Sequence, residues 1–169
     1  PMMQAELIPQ GRRPMMQEQL RYDSLNQTSK FIQLIRGGVS NFPGKSQRVW
    51  IVDTGIDKSH PDIPFQEPEI ALSKSFAMNA NDPFVDSDGH GTFIAGIIGA
   101  KSNSPNLQEY HMNGVYPGAK MVSLKVFDNK GKSTENRVKN ALEYILLNGA
   151  SGDIVNLSLG QQGSGPNFC

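Results

Sequence analysis

One pattern constrains the fold more than any other: short apolar runs alternate with segments that have helical character. The runs are Arg48-Val49-Trp50-Ile51-Val52-Asp53, residues 120–127 and residues 153–158. Each is short, rich in β-branched or apolar residues, and bounded by turn residues, which fits buried strands. Thr54-Gly55 ends the first run, and Asp128-Asn129-Lys130-Gly131 forms a turn after the second. Between the second and third runs, residues 134–148 place Val138, Ala141, Leu142, Ile145 and Leu146 on one face of a 3.6-residue period. Ser133 or Thr134 caps its start, and Gly149 suits a left-handed position past its end. Residues 91–100 read as a helix built from small residues, Thr92, Ala95, Gly96, Gly99 and Ala100 among them. Glycines weaken a helix, so their presence predicts close packing on another backbone. Strands alternating with helices predict an α/β fold with a doubly wound parallel sheet. Right-handed crossovers put the helices on the sheet faces.

The remaining segments are less informative. Residues 1–47 are expected to be an N-terminal tail or linker, with a short helix over 28–36 ended by Gly37-Gly38. Residues 59–88 hold Pro61, Pro64, Pro68 and Pro83 and predict surface loop, with a short strand near 71–76. Residues 101–117 predict polar loop. The formal net charge is zero, which argues against nucleic acid or an anionic membrane as partner. No apolar run is long enough to cross a bilayer. The single cysteine, Cys169, cannot build an intrachain disulfide framework.

In a parallel sheet, sites form outside the carboxyl ends of the strands. Asp53 ends the first strand, Ser158-Leu159-Gly160 follows the last, and His90 opens a helix. An acid and a histidine so placed are the orienting half of a Ser-His-Asp triad. Histidine suits the role because its pKa lies near neutrality. Spacing alone leaves a second reading open: a capping Asp and a packed surface His.

The local strings carry more. Val52-Asp53-Thr54-Gly55-Ile56-Asp57, with Ser59-His60-Pro61-Asp62, resembles the aspartate motif of the subtilisin-like serine proteases. His90-Gly91-Thr92-Phe93-Ile94-Ala95-Gly96 resembles their histidine motif, and Ile154-Val155-Asn156-Leu157-Ser158-Leu159-Gly160 resembles the strand lining their substrate cleft. The likeness runs from about Arg48 to Gly160, the N-terminal part of a subtilase catalytic domain assigned to residues 48–169. It implies that Asp53 orients, that His90 is the general base, and that a peptide bound as an added strand meets Ser158, Leu159 and Gly160. Gly131, with Lys132 and Ser133, matches the opposite cleft wall. The resemblance further implies endopeptidase activity on protein or peptide substrates, the chain's own propeptide as a partner, and secretion. Asp62, with Asn103, matches a structural calcium position, where hard oxygen ligands suit the ion.

The resemblance also shows what to expect beyond these residues. The family's serine stands in a Gly-Thr-Ser-x-Ala motif, roughly 150 residues after the histidine in the order that subtilisin shows. That is more than follows His90, and no such string occurs. The nucleophile and the oxyanion asparagine are therefore expected beyond Cys169. Ser164 and Ser158 are the internal alternatives; the first stands in a Gly-rich tail and the second in the cleft wall. A truncated, non-catalytic chain that binds peptide or a complementary chain is the other reading. A nucleotide-binding domain fails at Asp53-Thr54-Gly55-Ile56-Asp57, which is no phosphate loop. Asp86 and Asp88 are expected to favour the start of the His90 helix, and His60 and His111 to be structural or surface residues. Phe93, where many members carry a second histidine, is expected to affect packing more than chemistry.

Overall fold

The computed structural model describes residues 22–23, 28–38, 47–102 and 112–160. The sheet forms as the apolar runs require. Strands β3 (Arg48–Asp53), β5 (Lys120–Lys125), β6 (Ile154–Asn156) and the two-residue β4 (Lys74–Ser75) lie in the order β4-β5-β3-β6. All pairings are parallel, with Arg48 opposite Lys120 and Asp53 opposite Lys125. Parallel strands need long crossovers, and these carry helices to both faces.

Alternation along β3 sorts the core into two layers. Val49 and Ile51 pack with Met121, Ala119 and Ala95 on the side of α3 (His90–Gly99). Trp50 and Val52 pack with Val122, Leu124, Ala141 and Ile145 on the side of α4 (Glu135–Asn148). A strand buried on both faces explains why β3 reads as a continuous apolar run rather than an alternating one. Asp153 aligns β6: its carboxylate accepts from the Arg48 amide at 2.9 Å and from the Trp50 indole at 2.9 Å.

Several boundaries differ from the sequence reading. Residues 67–72 form a helix, α2 (Glu67–Leu72), where loop and strand were expected. Pro68 sits in its first turn, where a missing N–H costs nothing, so a residue read as a breaker is a starter. The expected strand shrinks to Lys74–Ser75. Thr134 does cap α4, accepting from the Arg137 amide at 3.4 Å. Gly149, however, is extended at φ −75°, not left-handed. Its lack of a Cβ matters for space: one would lie 2.8 Å from the Ile145 carbonyl oxygen. Leu146 points to solvent at 84% exposure, and Tyr144 packs against the core in its place.

The N-terminal segment is not wholly a tail. Strands β1 (Tyr22–Asp23) and β2 (Thr28–Ser29) pair antiparallel, and α1 (Lys30–Leu34) follows. Buried Ile32 anchors it, while Thr28 Oγ1 donates to the Asn113 carbonyl at 2.9 Å and Gly38 N to Val115 at 2.9 Å. Residues 1–21 lie outside the described residues.

The glycines of α3 are not equivalent. A Cβ on Gly91 would come within 2.1 Å of the Gly55 carbonyl oxygen, whereas one on Gly96 would meet only the Met112 methyl at 3.9 Å. Gly91→Ala must push the helix off the sheet, at a cost of about 1–3 kcal/mol. Gly96→Ala should be neutral or stabilising by up to about 1 kcal/mol, as helix propensity favours alanine. Thermal unfolding of the two variants checks this: equal melting temperatures would contradict the close approach.

Candidate active site

The carboxyl end of β3 and the amino end of α3 meet at Asp53 and His90. Asp53 is 1% exposed. Its Oδ1 accepts from the Thr54 amide at 2.7 Å and lies 2.8 Å from His90 Nδ1; its Oδ2 lies 3.0 Å from the same nitrogen. The ring is thus held at Nδ1, while the His90 side chain stays 44% exposed. The hydrogen bond to Asp53 is the main reason that the His90 pKa is raised above its ordinary value. Partial burial opposes the rise, and the charges of Asp53, Asp88 and Asp86 add to it.

Asp86 fixes the helix start. Gly89, at φ 92°, turns the chain into α3 without a side-chain cap of its own. Asp86 supplies the cap from three residues earlier. Its Oδ1 accepts from Gly89 N at 2.9 Å and its Oδ2 from Thr92 N at 2.8 Å and Thr92 Oγ1 at 2.6 Å. Oδ1 also accepts from Thr54 Oγ1 at 2.8 Å, and that hydroxyl accepts from Gly91 N at 2.9 Å. Burial alone would raise the Asp86 pKa. The hydrogen bonds from Thr92, Gly89 and Thr54 outweigh it and hold the carboxyl below the usual range. Asp88 is exposed and accepts from the His90 amide at 3.3 Å.

A pocket of about 630 Å³ opens between α4 and the segment after β6. Phe127, Val138, Leu142 and Leu159 make it apolar, with Ser133 and Gly160 at its wall. Leu159 and Gly160 are thus brought opposite Ser133. Gly131 and Ser158 do not line it. Gly131 sits at φ 69° in the turn, its amide donating to Asp128 at 2.9 Å, and Ser158 Oγ bonds Asn156 Oδ1 at 2.9 Å.

Asp62 is buried at 5% exposure, and its Oδ2 accepts from Met112 N at 3.3 Å. Among the described residues no group of three or more acidic, His or Cys side chains gathers anywhere. Asp62 supplies one hard carboxylate towards the six to eight oxygens that calcium takes, a set that main-chain and amide carbonyls also fill. Asn103 and His111 lie outside the described residues. His60 is structural: its Nδ1 accepts from Asp62 N at 3.2 Å. Phe93 departs from the packing expectation, because its ring is 63% exposed on α3. Helix membership alone does not bury a side chain; the face decides, and Phe93 lies one turn from exposed His90.

The sequence reading passed over Thr54 as a link and Lys125 entirely. Lys125 is a lysine in a mostly apolar run and is 1% exposed. A charge at a buried strand position was the signal available.

With this geometry in view, the chain's relatives are informative. The sequence profile of the Subtilase family matches residues 44–169, and the chain belongs to that family. It is 33% identical over 119 residues to subtilisin E of Bacillus subtilis, covering 70% of this chain and 28% of that protein. It is 32% identical over 119 residues to a subtilisin of Bacillus pumilus, covering 70% and 39%. The chain therefore spans well under half the length of these relatives. Its fold is similar to the crystal structure of a cold-adapted subtilisin-like serine proteinase, with a TM-score of 0.51 at 26% identity over 76% of this chain and 42% of that one. The α/β fold is thus subtilisin-like. Among the described residues no helix is long and apolar enough to cross a membrane.

The pH response follows from the Asp53–His90 contact. Folding raises the His90 pKa, so the pair's contribution to stability is complete below the unfolded value of about 6.5. It fades as pH rises through the folded value. Titration of the His90 ring by NMR should give a midpoint above about 6.5, and Asp53→Asn should move it down. A midpoint unmoved by that substitution would contradict the assigned cause.

Proposed function

We propose that the chain is the acid-base part of a serine-type endopeptidase that hydrolyses peptide bonds. The observation that carries this is the grip of both Asp53 oxygens on His90 Nδ1, at 2.8 and 3.0 Å, in a side chain that stays partly exposed. In this reading Asp53 fixes the tautomer with the proton on Nδ1. Unprotonated Nε2 takes the proton of a serine hydroxyl as its oxygen attacks the peptide carbonyl. The imidazolium so formed is stabilised by Asp53, then gives the proton to the leaving amine. Water repeats the sequence to release the acyl group. The serine and the oxyanion asparagine come from sequence outside this chain.

The substrate is a peptide lying between the 131–133 and 158–160 segments as an added strand. The apolar pocket between Phe127, Val138, Leu142 and Leu159 supports an apolar substrate side chain there. Residues 48–169 are then the N-terminal part of the catalytic domain. Secretion and binding of a propeptide belong to the same reading. A structural calcium ion held with the help of Asp62 and Asn103 belongs to the same reading, since carboxylate and amide oxygens suit it.

A second reading is a non-catalytic chain that pairs with a complementary one. Leu146, Leu147, Ile154 and Leu157 favour it, at 84%, 85%, 58% and 46% exposure.

One assay separates the two. These 169 residues alone should not hydrolyse a general peptide substrate above background. The same chain extended through a Gly-Thr-Ser-x-Ala segment should do so and should take a serine-directed label. His90→Ala in the extended protein should then cost about 10⁴–10⁶ in kcat. An extended protein that folds without activity would favour the pairing reading. Turnover by the 169 residues with label on Ser158 or Ser164 would overturn the assignment of the nucleophile.

A further inference from the structure

We propose that Lys125 is a positioning residue for the Asp53–His90 pair: its buried ammonium ties the strand end that carries Asp53 to the loop that leads into His90. The inference deepens the function proposed above and rests on it for any catalytic consequence.

Lys125 ends β5 and is the register partner of Asp53. Its Nζ donates to the Thr54 carbonyl, one residue past Asp53, and to the Val85 carbonyl at 2.9 Å, one residue before Asp86. Among the described residues no carboxylate stands within ion-pair distance of it. Burying an ammonium costs several kcal/mol unless polar atoms replace its water. Here two main-chain carbonyls do so, one from each segment of the site. Burial still pushes the lysine below its usual range, against the pull of Asp86, Asp128, Asp82 and Asp88. A methionine would fill much the same space and donate to neither carbonyl.

The tie acts where alignment is set. Two other contacts join the same segments: Ile56 N to Pro83 O at 3.1 Å, and Thr54 Oγ1 to Asp86. Lys125 adds a third from the neighbouring strand, and Ser123 Oγ reinforces it by donating to Pro83 O at 2.8 Å. Val85 precedes the residue that caps α3. A shift at Val85 is therefore passed through Asp86 to Gly89 and His90. Misplacement by about 1 Å can cost on the order of 10²-fold in rate.

Removing the ammonium has two opposite effects on His90, and their sign is the test. Loss of a positive charge from the site can only raise the imidazole pKa. Loss of alignment with Asp53 lowers it, because that hydrogen bond is the main cause of its elevation. NMR titration of His90 in Lys125→Met should show a downward shift in a chain that remains folded by circular dichroism. An upward shift, or none, overturns the proposal. If the variant does not fold, the unaltered chain decides. Its Lys125 ammonium should exchange slowly with solvent and show couplings across hydrogen bonds to the Thr54 and Val85 carbonyl carbons; a fast-exchanging ammonium without them overturns the proposal. Neither readout uses hydrolysis. An inactive extended protein would thus count against the proposed function and leave this result intact.

Discussion

The amino end of α3 lies directly on the turn that follows β3, with Gly91 so close to the Gly55 carbonyl that no side chain fits between them. This backbone-on-backbone approach sets the distance over which Asp53 and His90 must meet. A carboxylate side chain is short, and a helix held further away would put the ring out of reach. The glycine costs some helix stability, and the cost is offset by where it lets the helix sit. The parallel sheet supplies the other half of the geometry. It places the carboxyl ends of β3 and β5 side by side, which makes the strand end a fixed platform rather than a loop tip.

Hydrogen-bonding groups then hold what the close approach permits. Asp86 spends its carboxylate on backbone and hydroxyl donors from Thr54, Asp88, Gly89 and Thr92. Asp53 accepts from Thr54 N and meets the His90 ring. Buried carboxylates are costly unless their oxygens are satisfied, and here the partners are the segments whose relative position matters. Satisfying the charge and aligning the site are the same set of contacts.

The layered fold was readable because its signals were strong and local. A β-branched run ending at Asp53 makes a buried strand almost unavoidable, and the periodicity of 135–148 makes a helix. The elements misjudged were those whose signals are ambiguous. Pro68 ends helices and also starts them, and only its place in the chain's path decides. Gly149 fits either a left-handed cap or a close contact, and the structure uses the second. The exposure of Leu146 and Phe93 could not be read from period alone, because it depends on which faces other elements cover. The Asp53–His90 distance was legible only through the motif strings. The structural link made by Lys125 needed coordinates, since nothing local says which carbonyls a buried lysine reaches.

The central claim is that Asp53 holds His90 with its proton on Nδ1 and leaves Nε2 free to accept one. Nitrogen-15 and proton NMR of the His90 ring above and below its titration midpoint tests it most directly. The account predicts a strongly deshielded proton on Nδ1 that vanishes in Asp53→Asn, with Nε2 unprotonated once the pH is above the raised midpoint of the ring. A ring protonated at Nε2 and bare at Nδ1 would contradict it, because Asp53 would then have no proton to accept.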